Sequence, residues 1–144
     1  MWQFAATFFY LGKLPFAPGS WGSLGALIVW IYLPSSYLLQ MIMIIILFSI
    51  GVISSKKMAA AMNDHDPSEV VIDEAVGMWI ALFMLPHSIA IYSMAFILFR
   101  IFDIFKPSFI YRVQNLPGGW GIMMDDVLAG IIAWLICQGL LTIL

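Results

Sequence analysis

Two short stretches of this sequence place adjacent carboxylates at the start of long apolar runs. Asp73 and Glu74 form one pair, and Asp125 and Asp126 form the other. Ionisable side chains are costly at membrane depth and are usually functional there. Clustered carboxylates without histidine or cysteine neighbours favour a hard cation bound through oxygen, so we expect Mg²⁺.

A third stretch, "FRIFDIFKP" at residues 99–107, mixes both charges. Arg100, Asp103 and Lys106 recur every three residues, which places them roughly along one stripe of a helix. Two cations on one stripe favour a phosphate ligand, with Asp103 as a metal ligand or orienting group. Magnesium, phosphate and a membrane boundary together suggest a lipid phosphate as the substrate.

Structural interpretations of these groups stay open at this point. The stripe at 99–107 could be an ion-pair ladder on a structural helix. Asp73 and Glu74 could simply stabilise a helix N-terminus through its macrodipole. Of Asp125 and Asp126, one could bind metal while the other caps a helix or pairs with a cation, because adjacent helical side chains point about 100° apart.

A loop rich in glycine and proline, "GKLPFAPGSWGS" at residues 12–23, precedes the first longer apolar run. Backbone N–H groups at a helix start form anion sites, and Lys13 adds positive charge. We expect Ser20 or Ser23 to cap the following helix, and we include Ser20 among the phosphate-binding candidates. The alternative is a rigid re-entrant turn.

Composition places these groups in or against a bilayer. Of 144 residues, 63% are hydrophobic and 10% are charged, and the mean hydropathy is +1.02. Soluble domains contain about a quarter charged residues, so this excess of apolar residues predicts a membrane protein. The net charge is −2 without a basic tract, which argues against a nucleic-acid partner. The single Cys137 is expected to serve packing.

The elements that must carry the charged groups are predicted to be helices of one domain, residues 1–144. We expect a short interfacial helix at the N-terminus, a polar loop containing Lys56 and Lys57, and a loop at 108–124. The apolar segments are residues 24–33, 37–54, 70–85, 88–105 and 127–144. This pattern is typical of an all-α, polytopic membrane bundle of about six helices.

The distribution of charge predicts an orientation. The six basic and eight acidic residues lie in or within about a turn of alternate loops, whereas the connections 34–36 and 86–87 carry none. Because positive residues favour the cytoplasm, we expect the active site on the cytoplasmic face of the membrane and the C-terminus outside. The segment 24–33 is short, and if it does not cross it should form a re-entrant hairpin.

Four motifs carry a family resemblance. The stretches "GKLPFAPGSWGSL", "DPSEVVIDEAVGMW", "FRIFDIFKP" and "GGWGIMMDDVLAG" resemble phosphatidylglycerophosphatase A in order and form, over nearly the whole chain. The resemblance implies a bacterial inner-membrane enzyme that hydrolyses phosphatidylglycerophosphate to phosphatidylglycerol and inorganic phosphate with Mg²⁺. It also implies an all-helical fold with a central helix surrounded by others. Its motif residues here are the carboxylates Asp66, Asp73, Glu74, Asp103, Asp125 and Asp126 and the cations Lys13, Arg100 and Lys106.

The mechanism expected from these residues is metal-assisted attack by water. The carboxylates at 73, 74, 103, 125 and 126 would hold one or two Mg²⁺ ions, which polarise the terminal phosphate and activate water. Lys13, Arg100 and Lys106 would neutralise phosphate oxygens. A carboxylate that attacks directly, giving an aspartyl-phosphate, is the alternative. A different class is a small membrane transporter or ion-coupled binding protein, but the charge-free opposite face argues against it.

Overall fold

The computed structural model covers residues 1–144 and is entirely helical. This confirms the predicted all-α class, with seven α-helices rather than about six, because a short helix forms within the expected loop at 108–124. The elements are α1 Trp2–Ala6, a 3₁₀ turn Leu11–Lys13, α2 Pro18–Ile31, α3 Tyr37–Met62, α4 Ile72–Leu82, α5 Ile89–Ile104, α6 Ser108–Val113 and α7 Gly119–Ile143.

Helix α4 is the centre of the bundle and packs against α2, α3, α5 and α7. All but two of its residues, Glu74 and Ile80, are buried. It crosses α7 at Gly77 and Gly130, where a Cβ on Gly77 would lie 2.6 Å from the main-chain oxygen of Asp126. Glycine at this crossing therefore lets the carboxylates of α4 approach those of α7.

Two helices are long and apolar enough to cross a membrane. They are α3, with 26 residues, and α7, with 25 residues, which contain 18-residue stretches with mean hydropathies of 2.4 and 1.9, respectively. Helix α4 has 11 residues, which extend only about 17 Å, whereas the hydrocarbon core is about 30 Å thick. Helices α2 and α5, of 14 and 16 residues, are also shorter than a typical span. Helix length therefore identifies two candidate spans among the five apolar segments.

The C-terminal end of α3 differs from the predicted polar loop. The helix continues through Lys56 and Lys57, because the sequence there is rich in Lys, Ala and Met, which favour helix. It ends at Met62, and the next residue, Asn63, adopts a left-handed conformation with φ of 50°.

The expected serine cap of α2 is wrong. The helix begins at Pro18, whose fixed φ suits the first helical position, so both serines lie inside it. Ser23 Oγ instead donates a hydrogen bond to the carbonyl of Gly19 at 2.8 Å.

The start of α7 corrects a further expectation. The helix begins at Gly119, so Asp125 and Asp126 lie in its second turn and cannot cap it. The glycines before them serve close packing, since a Cβ on Gly121 would lie 2.6 Å from the carbonyl oxygen of Gln114. Both aspartates are buried. We therefore interpret them as parts of an internal site and not as helix caps.

Candidate active site

A polar cavity of about 330 Å³ lies where α2, α4 and α7 begin and α5 ends. It brings together residues from all four predicted motifs, which are far apart in the sequence. Its charged lining residues are Asp66, Asp73, Glu74, Asp103 and Asp126 and the cations Arg100 and Lys106.

The carboxylates form two overlapping groups. One contains Asp73, Asp125 and Asp126, and the other contains Glu74, Asp103 and Asp126. Within each group, one oxygen of every side chain lies within 4.8 Å of the others. Two oxygens that bind one Mg²⁺ or Ca²⁺ on opposite sides are about 4–5 Å apart, so both groups have suitable dimensions. Asp126 is the member that they share.

Three carboxylate oxygens in this cluster accept no hydrogen bond although they are buried: Asp73 Oδ1, Glu74 Oε2 and Asp126 Oδ1. Buried polar atoms are nearly always satisfied, because an unpaired one costs free energy. A hard divalent cation would satisfy all three with the oxygen ligands that it prefers. The residues present therefore fit a metal such as Mg²⁺.

Arg100 lies over the cavity and pairs with Asp103 one turn further along α5. Its Nε is buried and has no acceptor. Gly19 lets the start of α2 approach closely, since a Cβ there would lie 2.6 Å from Glu74 Oε1 and 3.1 Å from Arg100 Nη1. An anion in the cavity would meet a guanidinium group that still has a donor to offer.

Lys106 follows the end of α5 and pairs with Asp125 of α7, not with Asp103, so a three-residue ion-pair ladder does not form. Burial alone would lower the pKa of Lys106. The hydrogen bond to Asp125 and the surrounding carboxylates outweigh that effect and raise its pKa above the ordinary value. Lys106 therefore carries a stable positive charge at the cavity wall.

Asp125 already accepts three hydrogen bonds. Besides Lys106, Gln114 Nε2 donates to its Oδ2 at 2.9 Å, and the Asp126 N–H donates to its Oδ1 at 2.9 Å. Gln114 was not identified from the sequence, because the linker "SFIYRVQNL" between the third and fourth motifs carries no distinctive pattern. The structure shows that it anchors Asp125, and through it Lys106.

Lys13 and Ser20 are not among the residues that line the cavity. Lys13 is exposed, with its Nζ 5.6 Å from the ring centroid of Tyr10. Ser20 is half-buried in the first turn of α2. Asp66 lies at the rim, where burial of its carboxyl and the nearby Asp125 raise the pKa of Asp66, although much of the residue is exposed.

Comparison with known proteins agrees with this arrangement. A family model described as "Phosphatidylglycerophosphatase A" matches residues 4–141. A Bacteroides thetaiotaomicron protein named "Putative phosphatidylinositol-3-phosphatase" is 42% identical over 139 residues, which cover 90% of this chain and 87% of that protein. Phosphatidylglycerophosphatase A of Escherichia coli K12 is 38% identical over 136 residues, covering 92% of this chain and 78% of the relative.

The Haemophilus influenzae protein of the same name is 41% identical over 132 residues, covering 89% of this chain and 81% of the relative. No solved structure matches the chain. The family match extends over nearly the entire helical bundle and includes every residue that lines the carboxylate cavity. The chain therefore belongs to the phosphatidylglycerophosphatase A family.

Proposed function

We propose that this protein hydrolyses phosphatidylglycerophosphate to phosphatidylglycerol and inorganic phosphate, and that the reaction requires Mg²⁺. The observation that carries the proposal is a cavity in which unpartnered buried carboxylates lie beside Arg100 and Lys106. Carboxylates suit a divalent cation, and the two basic side chains suit a phosphate bound next to it. Family membership supports the phosphatidylglycerophosphate head group as the source of that phosphate.

Each side chain has a proposed role. Asp73, Glu74, Asp103 and Asp126 would hold Mg²⁺, which when bound supplies charge neutralisation at the phosphate and makes water more acidic. Arg100 and Lys106 stabilise the charge that develops on the phosphate oxygens. Asp125 belongs to one of the ligand groups, but its existing donors favour a role in positioning Lys106.

The reaction is a displacement at phosphorus. A water oxygen bonds to phosphorus while the bond from phosphorus to the glycerol oxygen breaks, and that oxygen takes up a proton. The cavity of about 330 Å³ is near the lower limit of small-molecule sites, roughly 300–1,000 Å³. It holds a phosphorylated head group, while the acyl chains stay outside in the lipid.

The protein is membrane-associated, and we propose a multi-pass arrangement in the bacterial inner membrane. In this arrangement α3 and α7 cross the bilayer, and α2, α4 and α5 complete the bundle. The end that carries the cavity also carries the lysines and arginines, so it would face the cytoplasm.

A second candidate substrate is phosphatidylinositol 3-phosphate, which appears in the name of one relative. It also presents a phosphomonoester on a lipid head group, and the same cations and carboxylates could bind it. Its inositol ring is bulkier than glycerol, so the two substrates should differ in how well they fit beside Gly19 and Ala17 at the cavity wall.

The deciding experiment is phosphate release by the purified protein in detergent micelles. Phosphatidylglycerophosphate, phosphatidylinositol 3-phosphate and phosphatidic acid would be compared with Mg²⁺, with excess EDTA, and with Mg²⁺ restored after EDTA. We expect phosphatidylglycerophosphate to give the highest kcat/KM and EDTA to abolish release reversibly. A preference for the inositol lipid would reassign the substrate, and full activity in EDTA would refute the metal requirement.

The hydrogen bonds that Gln114 and Lys106 donate to Asp125, called here the positioning network, can be tested at Gln114. Replacing Gln114 by alanine should lower kcat/KM about tenfold, because a hydrogen bond to a buried carboxylate contributes roughly 1.5–3 kcal/mol and Lys106 loses a fixed partner. The control is Asn115→Ala, at the exposed neighbouring position. If both variants have wild-type kinetics, the network does not support catalysis.

A further inference from the structure

A second cavity, of about 670 Å³, lies apart from the carboxylate site. It is formed by the C-terminal part of α3 and the residues that lead into α7. Its lining includes Ile53, Lys56, Lys57, Pro117 and Trp120, and it contains no carboxylate. None of these residues lines the catalytic cavity, so the proposed reaction does not account for them.

The polar end of this groove is basic and has no counterion in the protein. Lys56 and Lys57 are exposed, and the only two ion pairs in the structure join other residues. The stem of Lys56 runs beside Gly118, where a Cβ would lie 3.6 Å from Lys56 Cγ and Cδ. The Lys56 stem therefore lies next to Gly118 at the wall of the groove.

The remainder of the groove is apolar and continues onto a candidate membrane span. Ile53 lines the groove and is 59% exposed. About two to three turns earlier on the same side of α3, Ile42 and Ile45 are 42% and 57% exposed. Lys56 and Lys57 follow Ile53 by three and four residues, so the lysines continue this side of the helix. Trp120 packs edge-on against Phe48 with ring centroids 5.5 Å apart and is itself 51% exposed, as is common for tryptophan at a membrane interface.

We propose that this groove binds an anionic phospholipid. The phosphodiester would lie at Lys56 and Lys57, and an acyl chain would run along the isoleucines of α3 beside Trp120. Charge complementarity selects an anionic over a zwitterionic head group, because each basic residue near a bilayer surface attracts negatively charged lipid. Since the groove has no carboxylate cluster, it would hold the lipid without cleaving it.

This site goes beyond the proposed hydrolysis and does not depend on it. The site would hold anionic lipid against the face formed by α3 and α7. The proposed substrate and product are both anionic lipids. The test of this site is therefore a binding measurement with a phosphodiester lipid in EDTA, where the proposed hydrolysis cannot contribute.

The experiment is native mass spectrometry of the full chain released from micelles that contain phosphatidylglycerol or phosphatidylcholine with the same acyl chains. We expect the wild type to retain phosphatidylglycerol preferentially. The double variant Lys56→Gln/Lys57→Gln should reduce that retention about tenfold or more, to the phosphatidylcholine level. Lys56→Arg/Lys57→Arg should keep it, because the charge is preserved. Arg112→Gln removes an exposed cation from α6 and is the control that should leave retention unchanged.

Three results would overturn the proposal. The first is equal phosphatidylglycerol retention by wild type and the double glutamine variant. The second is an equal loss in Arg112→Gln, which would indicate a diffuse effect of net charge. The third is displacement of the lipid by water-soluble glycerol 3-phosphate, which would make the groove a site for free phosphate esters rather than for lipid.

Discussion

Replacing Asp126 with asparagine is expected to reduce phosphate release on the order of 10³-fold, as does the loss of a principal electrostatic group in other active sites. Asp126 is the one carboxylate shared by both ligand groups, and its Oδ1 is buried without a partner. Asparagine has nearly the same size but lacks the negative charge that a hard cation requires. The measurement is kcat/KM for phosphatidylglycerophosphate over a series of Mg²⁺ concentrations.

The stability of the same variant separates a catalytic role from a structural one. In EDTA, Asp126→Asn should unfold at the same temperature as wild type or higher, because it removes one charge from a buried cluster of like charges. Mg²⁺ should raise the unfolding temperature of wild type through binding to the folded state, and should raise that of the variant much less.

The control for Asp126→Asn is Asp64→Asn, at an exposed loop carboxylate outside the cavity. It should retain both activity and stabilisation by Mg²⁺. If Asp126→Asn remains active but unfolds at a much lower temperature, Asp126 supports the fold instead of binding metal.

Replacing Arg100 with glutamine should lower kcat/KM about 10²-fold or more through loss of charge stabilisation at the phosphate. Its guanidinium group lies at the cavity, pairs with Asp103, and retains an Nε donor without an acceptor. Arg100→Lys should recover only part of the activity, because lysine restores the charge but not the planar set of donors. Steady-state kinetics on the three proteins would measure these differences.

The response to Mg²⁺ should distinguish Arg100 from Asp126. Arg100→Gln leaves every proposed metal ligand in place, so Mg²⁺ should still raise its unfolding temperature. Arg112→Gln, which removes an exposed arginine outside the cavity, should behave as wild type in both assays. If Arg100→Gln loses its activity together with stabilisation by Mg²⁺, Arg100 orders the metal ligands; if it keeps wild-type kcat/KM, Arg100 does not stabilise the phosphate.

Much of this protein could be predicted from local sequence. Long apolar runs with few charges predicted helices that either face lipid or are buried in the bundle, because both environments suit that composition. The types and order of the motif residues identified the family, and their confinement to alternate loops predicted that they share one end of the bundle. Glycine motifs were harder to interpret, since glycine suits both loops and close helix packing.

The tertiary structure decided which of these residues meet. Helix α4 is shorter than the apolar segment predicted from the sequence and lies at the centre of the bundle. Its close crossing with α7 at Gly77 brings its carboxylates near Asp126. In the folded protein Asp125 accepts hydrogen bonds from Lys106 and Gln114, and Lys13 does not line the cavity. These outcomes depend on how closely separate helices approach and on which donors reach a buried carboxylate. The sequence by itself determined which segments form helices and which charged residues they carry. Contacts between helices that are distant in the sequence decided which charged residues pair with each other. The reason is that a buried charge needs a partner within hydrogen-bonding distance, and that distance is set by the tertiary structure.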